Sequence, residues 1–131
     1  MIALDTNVLL RLLTHDDARQ LAAVVRFMEA HPGEDYFVSD LVLVETVWAL
    51  FRLYRWPRAS VQAALRFIEE KPDLEVEDRA RFGAALRGFA AGADLADELI
   101  ITQAREAECT ALATFDTALL QRHASFAVKP A

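Results

Sequence analysis

Four acidic residues have the type and position needed to bind a metal ion. Asp5 and Asp116 each follow an apolar segment and precede a helical pattern, which places them at the carboxyl edge of a predicted parallel sheet. Glu45 stands among apolar residues of a helical segment, and Asp97 lies near the start of another. Carboxylate oxygens are the ligands that Mg²⁺ and Mn²⁺ prefer. The pattern therefore indicates a metal site formed by several carboxylates.

A site of this kind suits the hydrolysis of a phosphodiester bond. Carboxylates that lie close together repel one another, so such a group is favourable chiefly where it holds a cation. A metal ion with few protein ligands keeps positions for water and for a substrate phosphate, and it can generate hydroxide from the bound water. The sequence contains no P-loop, no glycine-rich dinucleotide motif and no Ser/His/Asp arrangement. We expect His15, His31 and His123 to be surface residues.

Each acid also has a structural interpretation. Asp5 and Asp116 suit helix N-caps, because an Asp side chain accepts hydrogen bonds from the first N–H groups of a helix. Asp94 and Asp97 form an Asp-x-x-Asp arrangement close to a capping motif, so Asp94 is an auxiliary candidate ligand. Glu45 would need a cation or a proton if it were buried, and is otherwise a partly exposed surface acid. Taken together, these acids indicate a metal site more strongly than any one of them does alone.

Short strands alternate with helices along the chain. Apolar runs predict strands at Met1–Leu4, Tyr36–Val38, Leu74–Val76, Thr110–Phe115 and Phe126–Val128. Helical spacing and capping residues predict helices at Val8–Leu13, from Asp16 or Asp17 to Met28, from Ser39 or Asp40 to about Tyr54, from Pro57 through Ile68, and at Arg79–Phe89, Asp97–Glu108 and Thr117–Gln121. This alternation predicts an α/β fold with a mainly parallel central sheet covered by helices on both faces. No repeat, linker or low-complexity segment divides the chain, so we expect a single domain over residues 1–131.

The composition limits the classes of protein that fit. With 131 residues and 54% hydrophobic residues, the chain can bury a substantial core. The net charge of −6 argues against a broad basic surface for nucleic acid, so a divalent cation would have to supply local positive charge. No secretory signal and no apolar stretch of about 20 residues is present, and we expect a soluble, cytoplasmic protein without membrane contact. Cys109 is the only cysteine and is expected to be a small buried residue.

The order of these motifs resembles that of the PIN domain, and specifically that of the VapC-type toxin ribonucleases of prokaryotic toxin–antitoxin pairs. The matching segments are Ile2–Leu10, Leu43–Thr46, Asp94–Ile100 and Ala113–Asp116. They cover nearly the whole chain in the expected order. The resemblance implies a three-layer α/β/α sandwich and an endoribonuclease that hydrolyses RNA with Mg²⁺ or Mn²⁺.

The resemblance also implies roles for individual residues. The positions that match the family's metal-binding acids are Asp5, Glu45, Asp97 and Asp116, and those that match its supporting residues are Thr6, Asn7 and Thr114. Asp116 matches the least constant of the acids, which can act through water. Glu98 departs from the family pattern, because related sequences often carry a small residue there. Unless this side chain faces solvent, its charge leaves open which acids coordinate the first ion.

The resemblance further implies a homodimer and a cognate VapB-type antitoxin that blocks the site. The third predicted helix supports a partner, because the segment Leu41–Phe51 is apolar nearly all round and such a helix must be covered on more than one side. Burial of this helix within its own domain is the alternative. The candidates for RNA or antitoxin contact, which otherwise are solvated arginines, are Arg11, Arg52, Arg55 and Arg58.

Other functions fit part of the pattern. A degenerate PIN domain that only docks RNA or protein should have lost some acids, and all four are present. A phosphatase that used Asp5 as its nucleophile would need an Asp two residues later, where Asn7 stands. A free-standing PIN nuclease of RNA turnover stays open beside the toxin. An upstream gene for a small DNA-binding antitoxin would favour the toxin.

Overall fold

Parallel strands form where the apolar runs of the sequence predict them. The computed structural model describes residues 1–131, which divide into two units, Met1–Arg79 and Ala80–Ala131. Each unit contains its own hydrogen-bonded parallel strands. Every helix is too short or too polar to traverse a lipid bilayer.

The first unit is built on a three-stranded parallel sheet in the order β1-β2-β3. Its strands are β1 (Ile2–Ala3), β2 (Tyr36–Val38) and β3 (Leu74–Val76), and its helices are α1 (Thr6–Thr14), α2 (Ala18–Glu29), α3 (Asp40–Arg52) and α4 (Arg58–Glu70). In the register, Tyr36 lies between Ile2 and Leu74. Parallel neighbours require long crossover connections, and pairs of helices supply them here.

The core of the first unit follows from side-chain periodicity. Tyr36 and Val38 are buried while Phe37 between them is half-buried, as expected for successive residues of a strand. On the helices, residues at helical spacing are buried, among them Leu9, Leu43 and Leu50. α1 contacts both α2 and α3, and α4 contacts both α3 and β3. α3 is therefore packed against both α1 and α4.

The second unit contains three helices and a pair of parallel strands. The elements are α5 (Arg79–Ala90), α6 (Leu95–Glu106), β4 (Leu112–Ala113), α7 (Thr117–Arg122) and β5 (Ala127–Val128). β4 pairs with β5, with Leu112 opposite Ala127. Ile101, Leu119 and Phe126 form a buried cluster, so apolar contacts join α6, α7 and the start of β5.

All of the predicted strands and helices are present, with changes at their ends. α1 begins at Thr6 and α6 at Leu95, earlier than predicted, because the Asp before each helix caps it. The strand predicted at Thr110–Phe115 has only two residues, since β5 offers only two partners. The expected burial of Cys109 is wrong: the residue is exposed, directly after Glu108 takes the left-handed conformation with φ 63°.

Candidate active site

Asp5 lies between β1 and α1 and caps the helix. Its backbone is extended, with φ −79° and ψ 161°, and its Oδ1 accepts a hydrogen bond from the Thr6 N–H at 2.8 Å. The capping interpretation is therefore correct for this residue. A carboxylate offers about four lone-pair positions on its two oxygens, so one cap bond leaves Asp5 able to bind a cation.

Asp5 and Glu45 line the same cleft of the first unit. The cleft has a volume of about 420 Å³, and its other lining residues are Thr6, Asn7, Leu10, Val44, Trp48, Ala49 and Leu53. Glu45 is exposed, because α3 turns Leu43 and Val47 into the core and presents Glu45 and Trp48 on its outer face. Of the two environments that the sequence left open for Glu45, a buried acid and an exposed one, the structure shows the exposed one.

Two buried hydroxyl groups follow these acids in the sequence. Thr6 is 9% exposed and lines the cleft, and its Oγ1 has no hydrogen-bond partner within the protein. Thr46 is 1% exposed, its Oγ1 also has no such partner, and it does not line the cleft. A buried hydroxyl without a partner costs free energy. Thr6 is therefore suited to hydrogen-bond a group that enters the cleft.

Arg11 is held by hydrogen bonds within the first unit. Its guanidinium donates to Asp16 at 2.8 Å and to the Tyr54 hydroxyl at 2.9 Å, and its Nε donates to the Asn7 carbonyl at 3.4 Å. The hydrogen bond from Thr14 is the main cause that lowers the pKa of Asp16, while desolvation acts in the opposite direction. The hydrogen bond with Tyr54 and the positive charge of Arg11 lower the pKa further. Arg11 thus connects α1 to the turn after α3. The other candidate arginines, all exposed, are Arg52, Arg55 and Arg58.

In the second unit, Asp94 and Asp116 cap helices. Asp94 Oδ2 accepts a hydrogen bond from the Asp97 N–H at 3.1 Å at the start of α6. Asp116 Oδ1 accepts from the Leu119 N–H at 2.9 Å at the start of α7, and the Asp116 N–H donates to Thr114 Oγ1 at 3.0 Å. Asp97 is the third residue of α6 and is half-buried. Its carboxylate receives no capping hydrogen bond, so capping does not account for it.

The pKa of Asp97 lies above its ordinary value. Burial raises its pKa, and the negative charges of Asp94, Asp116 and Glu98 raise it further. These acids therefore act on one another within the second unit. Since an opposite charge favours the ionised form, a bound cation would reverse the effect. Positive charge near Asp97 would therefore favour its ionised form.

Buried Glu98 and half-buried His123 form a pair that the sequence did not predict. Glu98 is 8% exposed, and its Oε2 lies 2.6 Å from His123 Nε2. Gly88 of α5 makes room for this pair, because a Cβ there would lie 1.9 Å from Glu98 Oε1. Burial excludes the alternative that Glu98 faces solvent, and His123, expected at the surface, is half-buried. Helical spacing was the available signal, since Glu98 lies three residues from both Leu95 and Ile101, which are buried.

The donor groups fit a hard divalent cation. No group of three or more His, Cys, Asp and Glu side chains forms a ready-made metal site in the structure. Asp5 and Glu45 line one cleft beside Thr6, whose hydroxyl has no partner in the protein, and the charges of Asp94 and Asp116 act on Asp97. These are oxygen donors, as Mg²⁺ and Mn²⁺ require, and a small donor set leaves room for water and phosphate.

The comparisons agree with this chemistry. No curated protein matches the chain. The family model described as PIN domain matches residues 2–125, which is nearly the whole sequence. With the helices and parallel strands described above, the match confirms the predicted α/β class, a three-layer α/β/α sandwich of the PIN type. Such domains have a nuclease-type fold and typically use divalent metal ions. The chain belongs to the PIN domain family.

Proposed function

We propose that this protein is a metal-dependent endoribonuclease, with Mg²⁺ or Mn²⁺ as its cofactor and Asp5, Glu45, Asp97 and Asp116 as its catalytic acids. The observation that carries the proposal is the cleft that Asp5 and Glu45 share in a chain of the PIN family. The grouping of acids around Asp97 supports it, because such a group favours a cation.

The residues of each unit have distinct tasks in this proposal. Asp5 and Glu45 bind the cation from the walls of their cleft, where Thr6 Oγ1 donates a hydrogen bond to water or to a phosphate oxygen. Asp97 is a further metal ligand, with Asp94 as auxiliary, and Asp116 acts directly or through water. When bound, the metal supplies a hydroxide nucleophile and stabilises the charge that develops on the phosphate.

We further propose that residues 1–131 act as one nuclease domain and that the protein is a cytoplasmic VapC-type toxin. Its partners are then RNA, a VapB-type antitoxin and a second copy of the chain. Leu41 supports a protein partner, because this apolar side chain of α3 is 69% exposed. The exposed residues Arg52, Arg55 and Arg58 are candidates for contact with RNA or antitoxin. An adjacent antitoxin gene and co-purification of its product would test the toxin assignment.

The nuclease proposal is tested by cleavage of a fluorescent single-stranded RNA. Wild type should cleave with millimolar Mg²⁺ or Mn²⁺ and stop in EDTA. Asp5→Asn should lower kcat/KM by about 100-fold or more, since a metal ligand contributes several kcal/mol to transition-state stabilisation. Wild-type cleavage in EDTA would refute the metal mechanism.

Asp17→Asn is the matched control for Asp5→Asn. Asp17 also caps a helix, because its Oδ1 accepts a hydrogen bond from the Gln20 N–H at 3.0 Å, and it does not line the cleft. Asn retains an oxygen that can cap in both variants. Asp17→Asn should keep wild-type activity. If the two variants lose activity equally, Asp5 acts only as a cap.

A further inference from the structure

Trp48 forms a wall of the cleft that holds the two acids. It lies three residues after Glu45, on the same outer face of α3, and lines the cleft together with Asp5 and Glu45. The indole is 56% exposed, although a side chain of this size usually buries most of its area. An accessible aromatic face therefore stands beside the carboxylates.

The charge of the chain makes such a face useful. A net charge of −6 gives little sequence-independent attraction to phosphates, and Asp5 and Glu45 add negative charge within the cleft itself. Stacking between a nucleobase and an aromatic side chain does not depend on the charge of the protein, and it contributes substantially to the binding free energy for every type of base. The cleft volume of about 420 Å³ lies within the range of roughly 300–1,000 Å³ found for small-ligand sites.

We propose that Trp48 forms a nucleobase subsite, in which its indole stacks on the base of an unpaired nucleotide while the neighbouring phosphate faces the acids. The proposal rests on the proposed endoribonuclease function and specifies its substrate as unpaired RNA. Bases in a duplex are already stacked on one another and cannot reach a side chain in this way.

Kinetics on single-stranded RNA test the aromatic character of the contact. Trp48→Ala should lower kcat/KM by about 5- to 100-fold, mainly through KM, which corresponds to the usual contribution of one stacked base. Trp48→Phe should retain most of the activity, and Trp48→Leu should resemble Trp48→Ala. Phe67→Ala is the matched control and should keep wild-type kcat/KM, because Phe67 is also an exposed aromatic residue, 42% exposed, but does not line the cleft. Full activity of Trp48→Leu would overturn stacking.

Fluorescence tests the contact without cleavage. The chain has two Trp residues, so Trp56→Phe leaves Trp48 as the only indole, and Asp97→Asn in addition should stop hydrolysis. A short single-stranded RNA in Mg²⁺ should quench the emission of Trp48 saturably, and the same RNA in a duplex should not. Cleavage by wild type without any quenching would overturn the subsite and leave the nuclease proposal standing. Quenching without cleavage by wild type would support the subsite and contradict the nuclease proposal.

A second copy of the chain is the competing occupant of this face. Light scattering of Trp48→Ala should give the same mass as wild type at the same concentration. A change from dimer to monomer, with unchanged cleavage per protomer, would assign Trp48 to the interface between copies and overturn the proposal.

Discussion

The acids of the two units are presented in different ways. Asp5 and Glu45 line an open cleft with aliphatic and aromatic walls, where a substrate has room to enter. Asp97 is half-buried, and this burial is the main cause of its raised pKa. The negative charges of neighbouring acids raise the pKa further. The first arrangement provides a cleft of defined shape, and in the second the repulsion among carboxylates would be relieved by positive charge. A nuclease needs both, because it must hold an anionic substrate with side chains that are themselves anionic.

The two arrangements also carry different costs in stability. In the first unit the cost is a buried hydroxyl, that of Thr6, without a partner in the protein. In the second unit the cost is repulsion among carboxylates around Asp97. Removing either cost should stabilise the fold and impair the function, as is common at active sites. At a purely structural position, by contrast, a substitution should change stability without changing cleavage.

Thr6→Val should produce the largest of these effects on activity. Val keeps the shape of Thr but has no hydroxyl, so the variant loses the hydrogen bond available to water or phosphate in the cleft. We expect kcat/KM to fall by about 10- to 100-fold, the range for groups that support a metal site. The free energy of unfolding should stay the same or rise by about 1 kcal/mol, because an unsatisfied buried hydroxyl is removed. Cleavage kinetics and urea denaturation measure the two quantities.

Thr46→Val is the control for this prediction. Thr46 has the same type of unpartnered buried hydroxyl but does not line the cleft. Its replacement should change stability in the same direction and leave cleavage at the wild-type rate. Equal activity of the two variants would mean that the Thr6 hydroxyl has no part in the reaction.

The sequence predicted the fold better than the environment of individual side chains. Strands and helices follow apolar periodicity, which is local, and so all of them were identified. The site acids were identified by residue type and position, and the capping of Asp5 and Asp116 follows a local rule as well. Exposure depends on which helix face meets the rest of the unit, so periodicity alone did not decide between a buried and an exposed Glu45.

The pair of Glu98 and His123 illustrates what the sequence could not provide. The two residues are 25 positions apart, and no local pattern connects an acid of α6 to the residue that ends α7. The burial of Glu98 also depends on Gly88 of a third helix, where the absence of a side chain leaves the space. Such packing results from tertiary structure, which single-residue propensities do not encode.

Gly88→Ala should destabilise the protein through Glu98. An added Cβ would lie 1.9 Å from Glu98 Oε1 and 2.6 Å from Glu98 Cδ, so the buried carboxylate would have to move away from His123. We expect the free energy of unfolding to fall by about 1–3 kcal/mol, the usual cost of overpacking. Without the clash, Ala in a helix would be more stable than Gly by about 0.5–1 kcal/mol. Urea denaturation gives the difference.

A double-mutant cycle with Glu98→Ala identifies the clash. In that background the carboxylate is absent, so Gly88→Ala should be neutral or stabilising. A loss of stability of the same size in both backgrounds would show that the added methyl group strikes something other than Glu98.

Asp97→Asn should have the smallest effect on stability, and the sign of that effect is the informative part. Burial and the neighbouring acids raise the pKa of Asp97 above its ordinary value of 3.8. Protonated Asp97 is therefore favoured in the folded protein, and its stabilising contribution is fully present below pH 3.8 and lost as the pH rises through the raised pKa. Asn is neutral throughout, so in EDTA the variant should melt above wild type at pH 7, and the difference should shrink as the pH falls toward 3.8.

Millimolar Mg²⁺ at fixed ionic strength should raise the Tm of wild type more than that of Asp97→Asn. A ligand raises the Tm by binding to the folded state, and the variant lacks one of the proposed metal ligands. If the variant melts lower than wild type in EDTA and responds equally to Mg²⁺, Asp97 supports α6 and is not a metal ligand.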